Sequence, residues 1–239
     1  TVVVPCRNER GNIDEIVART PVMGQGTELL FVDGQSGDGT VAAIERHLAA
    51  PPPVEGLTLR LLHQGGGKGK GDAVRKGFAA ASGELLFILD ADLTVPPEDL
   101  PKFYAAVAEG KGEFINGSRL VYPMEGEAMR FLNLLGNRFF GWALSAILGQ
   151  RLKDTLCGTK VLRRSDYQRV QATRAFLGDF DPFGDFDLIF GAAKANLKIV
   201  ELPIRYRART YGETKISRFR HGLLLLRMTA HALRKFAIG

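Results

Sequence analysis

The pair Asp90 and Asp92, at the end of the stretch ELLFILDAD, is the strongest chemical signal in the chain. Two carboxylates one residue apart suit a hard cation, because Mg²⁺ or Mn²⁺ takes oxygen ligands and is commonly shared between one or two carboxylates and the phosphates of a substrate. The apolar run over 85–89, bounded by Gly83, is too short for a buried helix and reads as a central strand of a parallel sheet. Ligands of open α/β sheets sit beyond the carboxyl ends of the strands, so this strand lifts both acids to the place where substrates bind. Pro96 and Pro97 then open a helix and leave the pair at the edge of the sheet. The plain alternative is a solvated strand end.

Other residues point to phosphate. The glycines of 65–71 (GGGKGKG) resemble a cradle, but Gln64 and Leu62 stand where a P-loop needs its first glycine. Gly37, Gly39 and Ala42 fit a dinucleotide fingerprint only nominally, since the acid expected at the next strand end is missing. What remains is a helix start at Asp72 preceded by Lys68 and Lys70, able to bind a diphosphate or to form a basic loop. Asp33 ends the second strand and can accept from a ribose or a base edge, whereas Asp38 and Thr40 read as caps of the next helix. Asp179, Asp181, Asp185 and Asp187 cluster among Phe180, Phe183 and Phe186. Acids among apolar side chains acquire raised pKa values useful to a general base. Asp187 is the preferred candidate over Asp185, because it begins an apolar helix and can project from its first turn.

The elements that must position these residues alternate. Strands are expected over 1–5, 28–33, 57–63, 85–89, 113–118, 161–164 and 199–204. Helices are expected after Asn12 as a cap, then over 41–48, 72–81, 98–108 and 188–195. This order argues for an α/β fold with a doubly wound, mostly parallel sheet and flanking helices. With 239 residues and ordinary apolar content, one domain is expected. Cys6 and Cys157 make no disulfide framework, which fits a reducing compartment such as the cytoplasm. No leader and no membrane span is read in the sequence. The net charge of +6 has much of its excess in the last third, and favours an anionic partner, phosphate ligand or membrane surface, over nucleic acid.

Two later stretches carry helical spacing. Over 124–152, Met129, Leu132, Leu135, Phe139, Trp142 and Ile147 run beside Arg130, Arg138 and Arg151, and read as a core helix. Over 216–233, Ile216, Phe219, Leu223, Leu226, Ala230 and Leu233 repeat at steps of three and four, with Arg220, Arg227 and Arg234 on a neighbouring stripe. Such a helix suits either packing against the domain or peripheral contact with an anionic membrane.

In order and spacing, several pieces resemble the family 2 glycosyltransferases with the A-type nucleotide-sugar fold, in the branch of dolichyl-phosphate mannose synthase and bacterial polyprenyl-phosphate glycosyltransferases. Val2-Val3-Val4-Pro5 with Asn8-Glu9 resembles the opening motif, and Val32-Asp33 through Thr40 the nucleotide motif. Gly69-Lys70-Gly71 resembles the glycine-lysine loop and Asp90-Ala91-Asp92 the metal motif. Gly117-Ser118-Arg119 resembles the next strand end, and Asp154-Thr155 with Cys157-Gly158 and Lys160 a later signature. Tyr211 to Ser217, with Lys215, is similar to the loop in which lysine meets phosphate. Two departures stand out. Gly34 replaces a usual second acid, and Asp187 stands where the lipid-phosphate branch usually has Glu.

The resemblance implies inverting transfer of a sugar from a nucleoside diphosphate sugar to a lipid phosphate or a hydroxyl. Mg²⁺ or Mn²⁺ would sit on Asp90 and Asp92. Pro5, Glu9, Asp33, Asp90, Lys70, Arg119, Arg130 and Lys215 would contact substrates, and Asp187 or Asp185 would act as base for a hydroxyl acceptor. Residues 1–216 would form the catalytic domain, with a nucleotide half to about 118 and an acceptor half beyond, and 217–239 an amphipathic helix. Two other readings compete: a haloacid-dehalogenase-like phosphatase with Asp90 as nucleophile, and a nucleotide-sugar-binding module without catalysis.

Overall fold

The computed structural model describes residues 1–121, 131–174, 184–209, 211–212 and 218–238, with no side-chain description for 131–134, 218–222 and 237–238. Seven strands form one sheet: β1 (Val2–Cys6), β2 (Thr27–Asp33), β3 (Leu57–His63), β4 (Leu85–Ile88), β5 (Phe114–Ser118), β6 (Lys160–Arg163) and β7 (Ile199–Pro203). Their order is β3-β2-β1-β4-β6-β5-β7. β1, β2, β3 and β4 run parallel, as do β5 and β7, while β6 is antiparallel to both of its neighbours. The strand that carries the acid pair is therefore the middle one of the seven.

Around the sheet lie α1 (Arg10–Arg19), α2 (Thr40–Ala49), α3 (Gly69–Ala80), α4 (Leu100–Ala108), α5 (Phe131–Leu148), α6 (Arg164–Ala172), α7 (Asp185–Lys194) and α8 (Arg218–Ile238). Alternation along the strands fills a core on each face. Val2, Val4, Leu29 and Phe31 pack with Ile13, Ile16, Ile44 and Phe103 on one side. Val3, Leu30, Leu86 and Ile88 pack with Phe78, Tyr167, Phe190 and Met228 on the other. A sheet covered on both faces demands apolar side chains at consecutive positions, which is why the central strands β1 and β4 read as unbroken runs, whereas the edge strand β3 alternates.

Several elements depart from the sequence expectation. Asn12 caps nothing: α1 already begins at Arg10, and the Asn12 amide donates to Glu9. Asp38 serves two helices at once, accepting from the Arg10 backbone N–H of α1 and from Thr40 at the start of α2. α3 starts at Gly69, so Lys70 stands in its first turn rather than before it. α6 was not anticipated, because its apolar positions are few and polar residues dominate. The helix expected over 124–152 is described as Phe131–Leu148.

Candidate active site

Beyond the carboxyl ends of the parallel strands opens a cleft of about 1090 Å³. Pro5 and Glu9 reach it from the end of β1, Gly34 and Gln35 from β2, Asp90 and Asp92 from β4, and Arg119 from β5. Seven Arg or Lys residues line it against four Asp or Glu, so the cleft favours an anion.

The acid pair is held by cations from distant elements. Lys70 Nζ lies 2.6 Å from Asp90 Oδ1, and Arg209 Nη2 donates to Asp92 Oδ2 at 2.6 Å. The other Asp92 oxygen accepts from the Thr94 hydroxyl and backbone N–H, in a turn that places Leu93 at a left-handed φ of 54°. Gly158 sits against Asp90 so closely that a Cβ there would lie 1.9 Å from Oδ2 and 2.5 Å from Lys70 Nζ. Any side chain at 158 would expel the carboxylate.

This donor set fits a divalent cation shared with a substrate. Both carboxylates line the cleft and stay part-exposed beside their cations, and among the described residues no group of three His, Cys, Asp or Glu side chains forms a self-sufficient metal cage. Mg²⁺ bound through one or two carboxylates takes its remaining ligands from phosphate and water.

Asp185 and Asp187 part company. Successive residues of an α-helix are ~100° apart, so positions two apart lie on nearly opposite sides. Asp185 is the first residue of α7 and faces the cleft, 2.8 Å from Lys160 Nζ and 4.0 Å from Lys70 Nζ. Asp187 points away toward Arg75 and Arg174, at 3.5 and 3.7 Å, and does not line the cleft. The preference for Asp187 rested on a later helix start; α7 instead begins at Asp185, directly after Gly184, which has a left-handed φ of 80° and packs backbone against backbone with Gly71. A Cβ on Gly71 would lie 2.8 Å from the Gly184 nitrogen. That contact sets the first turn of α7 beside the first turn of α3 and brings Asp185 to Lys70.

Burial pushes the Asp185 carboxyl up, but Lys160 and Lys70 outweigh it and hold it below its ordinary value. Burial likewise depresses the Lys70 ammonium, and Asp185 and Asp90 reverse this, so Lys70 stays charged. Lys160 is fully buried and also donates to the Cys157 carbonyl.

Arg119 is fixed by a second acid. Its Nε and Nη2 both donate to Asp154 at 2.7 Å, and its backbone N–H donates at 2.9 Å. Asn137 of α5 donates to the same carboxylate at 2.8 Å. The Tyr206 ring lies 5.2 Å beneath the guanidinium. Glu201 of β7 accepts from the backbone N–H groups of Lys153 and Asp154, clamping the loop that carries Asp154.

Of the remaining expected residues, Asp33 is 3% exposed and spends its carboxylate on the N–H groups of Gln35 and Ser36, beneath the cleft. Gly34 lies against Gln64, whose Oε1 would be 3.0 Å from a Cβ, so the acid usual there would displace the glutamine. Arg130, Lys215, Asp179 and Asp181 lie outside the described residues. Reasoning from the sequence passed over Arg209, Asn137 and Glu201. Only Arg209 left a trace, in the alternating Arg205, Arg207 and Arg209 directly after a strand, of which the last two line the cleft.

Fold and cleft define an α/β enzyme of the nucleotide-sugar transferase type, with an acid pair on its central strand facing a cationic wall. Residues 1–171 match the family model for glycosyl transferase family 2, and the chain belongs to that family. It is 30% identical over 227 residues to a dolichol-phosphate mannosyltransferase of Pyrococcus furiosus, covering 90% of this chain and 58% of that protein. It is 27% identical over 223 residues to an undecaprenyl-phosphate 4-deoxy-4-formamido-L-arabinose transferase of an Enterobacter species, covering 91% and 62%. The chain thus spans about three fifths of these two relatives. In fold it resembles glucosyl-3-phosphoglycerate synthase of Mycobacterium tuberculosis, crystallised with Mn²⁺, UDP and glucosyl-3-phosphoglycerate. The TM-score is 0.67 at 18% identity, over 99% of this chain and 79% of the other.

Proposed function

We propose that this glycosyltransferase moves a sugar from a nucleoside diphosphate sugar to the phosphate of a polyprenyl phosphate, with inversion at the anomeric carbon. One arrangement carries the choice of acceptor: Asp185, the carboxylate of α7 that faces the cleft, is bound by Lys160 and Lys70. A carboxylate held ionised by two ammonium groups is a poor acceptor for the proton of a hydroxyl. A phosphate monoester, with a second pKa near ~6, is already largely ionised at neutral pH and needs no base. The names of the Pyrococcus and Enterobacter relatives, dolichol phosphate and undecaprenyl phosphate transferases, agree with this acceptor class.

In the reaction an acceptor phosphate oxygen attacks the anomeric carbon from the face opposite the diphosphate. The bond from that carbon to the diphosphate oxygen breaks, and its electron pair leaves with the nucleoside diphosphate. Asp90 and Asp92 would hold Mg²⁺ or Mn²⁺, which when bound supplies positive charge beside the diphosphate oxygens; the Mycobacterium tuberculosis synthase has been crystallised with UDP and either ion. Lys70 and Arg209, each on a flexible stem, are placed to turn from the carboxylates to the leaving diphosphate. Arg119, oriented by Asp154, presents a fixed cation at the cleft wall. As a phosphatase nucleophile Asp90 is badly placed, with Lys70 on one oxygen and Gly158 against the other.

The test is transfer from radiolabelled nucleoside diphosphate sugars, with Mn²⁺, to a polyprenyl phosphate or to the matching polyprenol. Label is expected in the phosphate-bearing lipid alone, and Asp92→Asn is expected to abolish it. Equal or faster labelling of the alcohol would overturn the acceptor assignment, and full turnover by Asp92→Asn the metal assignment.

A further inference from the structure

Two lysines meet the Asp185 carboxylate, and they hold it differently. Lys160 is fully buried; its Nζ lies 2.8 Å from Asp185 Oδ1 and also donates to the Cys157 carbonyl. It reaches this place because β6 runs antiparallel to β4 and β5, which brings its first residue to the end of the sheet where those strands finish. Lys160 thus fixes one oxygen of Asp185 and leaves the other, Oδ2, 4.0 Å from Lys70 Nζ. Lys70 itself rests on Asp90, 2.6 Å from Oδ1. Among the described residues, the carboxylates within 4.0 Å of the Lys70 ammonium are those of Asp90 and Asp185. Asp72, in the same first turn of α3, is taken by Lys76 at 3.0 Å and by Gln64 at 2.8 Å.

The resting place of Lys70 bears on any cation that uses the acid pair. Gly158 stands against Asp90 Oδ2, where a Cβ would come within 1.9 Å, and Lys70 holds Oδ1. A divalent cation that takes Asp90 therefore arrives at the oxygen that carries the ammonium, and two cations on one oxygen repel. Lys70 has to leave. Closing about 1 Å of its distance to Asp185 Oδ2 gives it a charge-assisted hydrogen bond of ordinary length. The ammonium then exchanges one carboxylate for another and is never left half-buried without a counter-charge.

We infer that Asp185, held in place by Lys160, is a positioning residue that receives Lys70 when a divalent cation occupies Asp90. This rests on the assignment of the cation to Asp90 and Asp92 and goes beyond it, giving Asp185 and Lys160 a task in the reaction other than proton transfer. An ammonium has three donors, so Lys70 on Asp185 keeps two for the diphosphate.

The test is a double-mutant cycle on Mn²⁺ affinity, read as free Mn²⁺ by electron paramagnetic resonance, without nucleotide and without turnover. Lys70→Met removes the competitor and is expected to raise affinity about tenfold. Asp185→Asn deprives Lys70 of its second partner, leaves it on Asp90 and is expected to lower affinity about tenfold. In the Lys70→Met background the same Asp185→Asn change is expected to alter affinity less than about twofold, because no ammonium remains to be received. Asp185→Asn strands the buried charge of Lys160, so the cycle is repeated with Asp185→Asn and Lys160→Met together, which removes both buried charges. Thermal unfolding checks that each variant folds. Equal losses in the two backgrounds would overturn the inference, since Asp185 would then act on the cation through its charge alone; unchanged affinity in Asp185→Asn would overturn it too. Wild-type protein that takes up no Mn²⁺ would overturn the cation assignment and the inference with it, whereas uptake with equal losses overturns the inference alone.

Discussion

Two acid–arginine contacts in this molecule differ in kind. Asp154 is fully buried and each of its oxygens is taken by short, fixed donors: three from Arg119, one from Asn137 and one from the Leu156 backbone. Asp92 keeps a side-chain exposure of 15%, and its cation arrives on the long stem of Arg209 from the segment after β7. The first contact has nowhere to go, because parting the pair would strand a charge in a dry interior. The second borders a solvent-filled cleft, where an incoming cation and an incoming phosphate can each take a partner. One cluster is built to stay, the other to exchange.

Removing the fixed contact should have the largest effect. Asp154→Ala leaves Arg119 buried without its counter-charge and is expected to cost about 3–5 kcal/mol of stability, read as a lower denaturant midpoint. A smaller loss would mean that Arg119 swings into the cleft. Gly158→Ala should leave folding nearly intact yet displace Asp90, with turnover falling about 10²-fold, as expected for ~1 Å of misplacement at the chemistry. Unchanged turnover would show that Asp90 can work from another rotamer.

Acid should separate the clusters next. Burial raises the Asp154 and Asp185 carboxyls, Arg119 and the two lysines outweigh it, and both groups titrate below their ordinary 3.8 in the folded chain. The unfolded chain therefore binds more protons in acid: the stabilisation is present above about 3.8 and is lost as pH falls through the folded values. Each such group adds up to ~1.4 kcal/mol per pH unit to the slope, and Asp154→Asn should remove its share from urea midpoints measured across that range. The smallest effect belongs to the exchangeable contact. Arg209→Gln relieves Asp92 of its resident cation, and Mn²⁺ affinity without nucleotide is expected to rise about 5–10-fold, on the scale of ~1 kcal/mol for a part-exposed pair. Free Mn²⁺ measured by electron paramagnetic resonance reads this directly, and weaker binding in the variant would make Arg209 a support of the acid pair rather than its competitor.

Much of the frame was legible beforehand, and the misses have a common cause. β4 with Asp90 and Asp92 could be read because a doubly covered strand must be apolar throughout and the acids that end it have no core to enter. The exposed sides of α5 and α8, with Leu135, Phe139 and Trp142 on the first and Leu223, Leu226 and Leu233 on the second, could not, because helical spacing says that an apolar stripe exists and not which neighbour covers it. Gly71 and Gly158 stand out in the sequence only as members of motifs and Gly184 not at all, although each marks a contact that a side chain would forbid.

Local pattern alone thus determined the alternating strands and helices and the strand-end position of the acid pair, since these follow from backbone periodicity and residue type. Tertiary structure decided which carboxylate of α7 meets the lysines, which arginine is locked and which can move, and which helix faces are left to the outside. Those depend on close approaches between residues 25 to 117 positions apart, and only the folded chain brings them within reach.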